Sequence, residues 1–234
     1  MDQLPYRGRP VTEGNENVGE VSPEDLQRLL RRLQEFRDLY KKNIAWHVGL
    51  SLREIPYPNQ RTITSMLGQL RGVEPLHGAK VLYLDDGPQY YFEFLAHLTV
   101  ATRRRVELIP YKGESVAEIA TNIRQRLRLC PQPHLLVADE NLEMLPSMEY
   151  AGHTEKGHSV IDHLRYDLLR TGVPSVLFST DDSLSEKASS VGAAFVRKNI
   201  PPEAAVEQIA DYFHSFHRRI RQEREADERF ITTD

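Results

Sequence analysis

The sequence contains few of the residues that mark a disulfide-bonded or membrane-spanning protein. Cys130 is the only cysteine among 234 residues, which excludes an intramolecular disulfide and a metal site built from several cysteines. No apolar run is long enough to span a bilayer, and no signal-peptide pattern is present at the N-terminus. The formal net charge of −4 gives no global attraction to nucleic acid or to an anionic membrane. We therefore expect a cytoplasmic protein.

The composition is that of a globular protein, with 40% hydrophobic and 27% charged residues. This length allows one large domain, or a medium domain with an appendage. Changes in pattern along the chain predict four segments. They are a flexible arm over 1–22, a helical extension over 23–78, an α/β domain over 79–213 and a helical C-terminal tail over 214–234.

The helical extension begins at a strong start signal, Ser22-Pro23. Apolar residues then follow at a spacing of three and four, at Leu26, Leu29, Leu33, Phe36 and Tyr40. This spacing fits a helix packed on its own domain, and it equally fits a seam between two chains. The second alternative predicts a homodimer through helices in 23–50. Arginine and lysine crowd the other faces, but no recognition-helix pattern follows, so we expect no DNA binding.

The α/β domain alternates short apolar strands with amphipathic helices. The predicted strands cover 80–84, 106–109, 134–138, 173–178 and 194–197. Such alternation is typical of parallel βαβ units with right-handed crossovers. We predict a flavodoxin-like, doubly wound sheet of five parallel strands in the order 2-1-3-4-5, with the N-terminal helices as an appendage.

Polar residues follow four of these strands at the points where the strands end. Asp85 and Asp86 end the first strand, Asp139 the third, Ser179 the fourth and Lys198 the fifth. The carboxyl ends of parallel strands share one edge of the sheet, and the first and third strands are neighbours in the predicted order. Three carboxylates should therefore converge there, and they repel one another unless a cation joins them.

The predicted constellation suits chemistry with Mg²⁺ and phosphate. Mg²⁺ binds through a few carboxylates and retains waters and phosphate oxygens. A carboxylate beside it can attack a phosphoryl group and become an acyl phosphate. Lys198 could pair with the phosphoryl charge, and the Ser179 hydroxyl could donate to a phosphoryl oxygen.

With this set of residues, 79–213 resembles the receiver domain of bacterial two-component response regulators. The resemblance implies that Asp139 is the phosphoacceptor and that Asp85 and Asp86 are the metal-binding acid pair. It implies that Ser179 relays phosphorylation and that Lys198 is the lysine of the family motif. Mg²⁺ is the implied cofactor.

Further positions follow from the resemblance. Phe195 matches the switch aromatic, and Asn141 matches the residue whose backbone carbonyl binds the metal. Three features depart from the family pattern: Asn199 replaces the usual proline after the lysine, Thr180 replaces a small residue, and the loop over 141–157 is longer than usual.

These features predict a signalling protein, not an enzyme, that is phosphorylated on Asp139 by a histidine kinase or phosphotransfer protein. Phosphorylation would switch a protein–protein or dimer interface. The alternative is a non-phosphorylated pseudo-receiver that acts as a constitutive interaction or dimerisation scaffold. An Mg²⁺-dependent hydrolase is disfavoured, because Asp139-Glu140-Asn141 lacks the second aspartate of an Asp-x-Asp pair.

Overall fold

The computed structural model describes residues 22–44, 58–73, 76, 78–86, 92–104, 106–111, 114–128, 134–143 and 154–231. The predicted arm over 1–22 lies almost wholly outside them, as do positions 45–57 of the extension. The described helices are α1 (Pro23–Ile44), α2 (Gln60–Gln69), α3 (Phe92–Thr102), α4 (Val116–Arg128), α5 (Gly157–Thr171), α6 (Ser185–Ser190) and α7 (Pro202–Ile231). The strands are β1 (Lys80–Asp85), β2 (Glu107–Pro110), β3 (His134–Asp139), β4 (Asn141–Glu143), β5 (Thr154–Lys156), β6 (Ser175–Ser179) and β7 (Ala194–Arg197). A 3₁₀ turn (Asp182–Leu184) precedes α6.

Five strands form one parallel sheet in the order β2-β1-β3-β6-β7. Because β4 and β5 belong to a separate hairpin, this order is 2-1-3-4-5 when only the strands of the sheet are counted. The predicted fold class is confirmed. β1 and β3 are adjacent, and their register pairs Leu84 with Ala138, so the acids that follow both strands emerge side by side.

The strands are buried on both faces because helices cover each side of the sheet. One face of the sheet shares a first core with α1, α2, α3 and α7, and the other face shares a second core with α4, α5 and α6. Helix α4 shows the sequence cause: Ile119, Ala120, Ile123 and Leu127 recur at helical spacing and are all buried, while polar residues face outward.

The N-terminal helices pack on their own chain. Leu29 and Leu33 of α1 are 2% and 0% exposed, and they share a core with Ile63 of α2 and Phe94 of α3. Two residues of the predicted two-chain seam are therefore already buried within the protomer. The homodimer through 23–50 stays a prediction, and residues 45–50 lie outside the described part of the chain.

Two segments differ from the sequence expectation. The stretch 141–157 was expected to be a loop, but its ends form the antiparallel hairpin β4–β5, which buries Leu142 in the second core. The helical tail predicted as a separate segment over 214–234 continues α7 as one helix to Ile231, and Phe216 within it is 5% exposed. No helix within the described ranges is long and apolar enough to cross a membrane.

Candidate functional site

Three carboxylates converge at the carboxyl edge of the sheet. Asp85 is the last residue of β1, Asp86 follows it, and Asp139 is the last residue of β3. One carboxylate oxygen from each of the three lies within 4.8 Å of the others. Asp85 is 1% exposed and Asp139 is 6% exposed. The predicted proximity of these acids is confirmed.

Lys198 brings the positive charge to this cluster. Its position after β7 is fixed by its backbone N–H, which donates to the Ser179 carbonyl oxygen at 2.9 Å. Its Nζ lies 2.5 Å from Asp139 Oδ2 and 3.5 Å from Asp85 Oδ2. The ammonium also lies 5.6 Å from the ring centroid of Phe178, close enough for a cation–π contact.

The charge balance at Asp139 is unfavourable to its ionised form. Burial raises the pKa of this carboxyl, and the neighbouring Asp85 carboxylate raises it further, while Lys198 acts in the opposite direction. The result is a pKa of about 7, compared with 3.8 for an ordinary aspartate. One lysine is thus not enough to neutralise the cluster, and a bound cation would relieve the remaining repulsion.

Tyr83 is a pocket residue that the sequence reasoning missed. Its hydroxyl donates to Asp85 Oδ2 at 2.5 Å, and the side chain is 0% exposed. The ring lies against Phe94 and Phe178, with centroid distances of 6.0 and 6.4 Å. Strand alternation gave the signal, because Tyr83 and Asp85 are two residues apart on β1 and share one face of the sheet.

The residues predicted to relay the phosphorylated state lie on β6 and β7, the two strands that follow β3 in the sheet. Ser179 ends β6 and is 2% exposed, and its Oγ accepts a hydrogen bond from the Asp181 backbone N–H at 3.2 Å. Thr180 is exposed. Phe195 on β7 is half-buried against the second core. These positions place Ser179 between the pocket and β7, and their functional roles stay predictions.

Asn141 contacts Asp139, the candidate phosphoacceptor, through its backbone amide. Its backbone N–H donates to Asp139 Oδ1 at 3.2 Å. Its side-chain oxygen accepts a hydrogen bond from Lys156 Nζ at 2.6 Å, which ties the two strands of the hairpin together. The metal contact predicted through its backbone carbonyl stays a prediction.

Glu140 directly follows Asp139 and the end of β3, and the sequence did not predict its contacts. The Glu140 carboxylate lies 2.8 Å from His158 Nδ1 and accepts from the His158 backbone N–H at 3.2 Å. Its carbonyl oxygen accepts from the Gly157 N–H at 2.9 Å. Gly157 comes so close to β3 that a Cβ there would overlap the Asp139 carbonyl oxygen. This contact fixes the start of α5 against the end of β3.

The acid cluster fits a hard divalent cation. Its ligands are carboxylate oxygens, the set that Mg²⁺ and similar ions prefer. Asp85, Asp86 and Asp139 would hold such an ion, and the raised pKa of Asp139 indicates that the cluster lacks positive charge without one.

Comparison with known proteins identifies receiver domains among solved structures. No family model and no curated protein matches the chain. The chemotaxis response regulator CheY4 of Vibrio cholerae matches with 19% identity and a TM-score of 0.40, over 57% of this chain and 98% of that one. The receiver domain of the putative response regulator NarL from Mycobacterium tuberculosis matches with 17% identity and a TM-score of 0.40, over 59% and 98%. A CheY-like receiver domain protein from Methanospirillum hungatei JF-1 gives 17% identity and a TM-score of 0.40, over 60% and 98%.

Identities below 20% and TM-scores of 0.40 are too low to indicate a shared function. The fold assignment rests on the strand order and register, and the site rests on the distances among the acids and Lys198.

Proposed function

We propose that this protein is a response-regulator-like signalling protein that accepts a phosphoryl group on Asp139. The observation that carries the proposal is the meeting of Lys198 with Asp139 at 2.5 Å inside a cluster of three acids. These groups come from the ends of three separate strands, and a purely structural ion pair does not require two additional carboxylates.

The residues would act as follows. The Asp139 carboxylate attacks the phosphorus of a phosphohistidine or of a small phosphodonor, and the leaving group departs with its bonding electron pair. Mg²⁺ held by Asp85, Asp86 and Asp139 would supply charge neutralisation of the phosphoryl oxygens. Lys198 would move its ion pair from the free carboxylate to the new phosphoryl oxygens. The Ser179 hydroxyl would turn from the Asp181 N–H to donate to one of them.

The output would be a change at the surface formed by α6, β7 and α7. Ser179 is paired in register with Arg197, the last residue of β7, and Arg197 forms an ion pair with Asp182. Movement at Ser179 would therefore reach this surface and the half-buried Phe195. A histidine kinase or phosphotransfer protein would supply the phosphoryl group. A homodimer is one form that the output could take, through this surface or through 23–50.

Titration with beryllofluoride, a phosphoryl mimic, in the presence of Mg²⁺ tests the proposal. Two-dimensional NMR should show shifts at Ser179, Phe195 and Lys198 in the wild type and none in Asp139→Asn. Sedimentation of the same samples reports whether assembly changes. A wild type that gives no shifts would favour the constitutive scaffold, and multiple turnover of an aryl phosphate would favour a hydrolase.

A further inference from the structure

Tyr111, whose backbone adjoins Asp85, carries a buried hydroxyl that no described residue pairs. Tyr111 directly follows β2 and is 7% exposed, and its hydroxyl oxygen has no hydrogen-bond partner among the described residues. Buried hydroxyls are nearly always paired, and an unpaired one calls for an explanation such as a bound water or ion.

The backbone places Tyr111 next to Asp85 and Asp86 of the acid cluster. Its N–H donates to the Asp85 carbonyl oxygen at 3.2 Å. The last registered pair between β1 and β2 joins Asp85 with Pro110, so Tyr111 lies one step further, level with Asp86. Its ring belongs to the second core, together with Leu84 and Ile109. Leu84 lies two residues before Asp86, and Ile109 lies two residues before Tyr111.

The surroundings of the hydroxyl are acidic. Burial raises the pKa of the Tyr111 hydroxyl, and the carboxylates of Glu155, Glu114 and Asp86 raise it further. A negative environment disfavours a phosphoryl oxygen at this position. It favours a polarised water that donates its hydrogens, such as a water bound to a divalent cation.

We propose that the Tyr111 hydroxyl accepts a hydrogen bond from a water in the hydration shell of a Mg²⁺ ion held by Asp85, Asp86 and Asp139. Tyr111 is then a positioning residue that contacts the ion through water. Mg²⁺ retains several of its waters when it binds to protein, and hydrogen bonds from outer residues to such a shell strengthen binding. This inference rests on the metal-dependent part of the proposed function.

Calorimetric titration with Mg²⁺ and with Ca²⁺ tests the inference on the whole protein. Tyr111→Phe removes only the hydroxyl oxygen and its proton, and Tyr166→Phe on α5, where the tyrosine is 77% exposed, is the matched control. We expect Tyr111→Phe to weaken Mg²⁺ binding about threefold to tenfold, the equivalent of one hydrogen bond. Ca²⁺ binding should fall less, since Ca²⁺ accepts more protein oxygens in place of waters.

The thermal stability of the metal-free variants separates this role from packing. Because no described residue pairs with the hydroxyl, the metal-free Tyr111→Phe variant should melt at the wild-type temperature or above it. The inference is overturned if Mg²⁺ affinity stays within twofold of the Tyr166→Phe control, if Ca²⁺ affinity falls as much as Mg²⁺ affinity, or if the metal-free variant is clearly less stable. If Mg²⁺ affinity is unchanged in Tyr111→Phe but Mg²⁺ binding is abolished in Asp139→Asn, only the inference about Tyr111 is overturned. The proposed function then stands. A wild type that binds no Mg²⁺ overturns both.

Discussion

Two adjacent acids, Asp139 at the end of β3 and Glu140 directly after it, are almost completely buried, at 6% and 3% exposed, but their surroundings differ. Glu140 has the ring and backbone of His158 as partners. Asp139 faces two other carboxylates and one lysine. A buried carboxylate with its own set of donors stabilises local structure, whereas one held among like charges is suited to bind a cation and to react.

The largest expected effect concerns the structural contacts around Glu140, where the start of α5 meets the end of β3. Gly157→Ala places a Cβ against the Asp139 carbonyl oxygen, and backbone cannot move aside as a flexible side chain can. We expect a loss of about 3 kcal/mol or more in the free energy of unfolding, measured by urea denaturation.

Gly68→Ala in α2 is the control for that variant, because a Cβ at Gly68 meets nothing within 4 Å. It should leave stability unchanged or raise it by up to about 1 kcal/mol through helix propensity. Equal effects of the two substitutions would show that the contact between Gly157 and β3 does not constrain the site.

The second prediction concerns the pH dependence of stability without metal. The pKa of Asp139 is raised from 3.8 to about 7 in the folded state, so the folded protein holds this proton more tightly than the unfolded chain. Stability from Asp139 is therefore fully present below about pH 4 and is lost as the pH rises through about 7.

Urea denaturation across this pH range in EDTA, with and without the Asp139→Asn substitution, measures the effect. The wild type should lose stability on the order of 3 kcal/mol relative to Asp139→Asn between the two ends of the range. Added Mg²⁺ should reduce the difference. Parallel pH profiles for the two proteins would contradict the charge balance assigned to the pocket.

The third prediction tests Glu140. The contact between Glu140 and His158 holds the start of α5. Glu140→Gln removes the carboxylate from this contact and should cost about 2 kcal/mol of unfolding free energy. Asp162→Asn, at an exposed position on the same helix, should change stability by less than about 0.5 kcal/mol. Glu140→Gln should also keep the response to beryllofluoride. A variant that is stable but does not respond would show that Glu140 has a functional role and not only a structural one.

The smallest effect is expected at Tyr83. Tyr83→Phe removes the hydrogen bond to Asp85 and should cost about 1 kcal/mol in unfolding free energy at neutral pH. Thermal denaturation against Tyr166→Phe measures this difference. An unchanged stability would mean that Asp85 obtains no net stabilisation from the phenol.

The sequence predicted the acids and Lys198 as neighbours because the topology of a parallel sheet brings strand ends together, whatever their separation along the chain. It did not predict the partner of the α1 seam, since periodicity identifies the buried face of a helix and not what covers it. The hairpin β4–β5 was missed because its strands are short and mostly polar, although Leu142 in β4 is buried. Tyr83 was interpreted as an apolar strand residue, although its hydroxyl reaches Asp85.

The most direct test of the central claim is the intact mass of the protein after incubation with acetyl phosphate and Mg²⁺. We expect the addition of one phosphoryl group to the wild type, its location on Asp139 by peptide mapping, and its absence when EDTA replaces Mg²⁺. Asp139→Asn should remain unmodified. A wild type that stays unmodified under conditions in which it is folded and binds Mg²⁺, or a phosphoryl group found elsewhere, would contradict the proposed phosphorylation of Asp139.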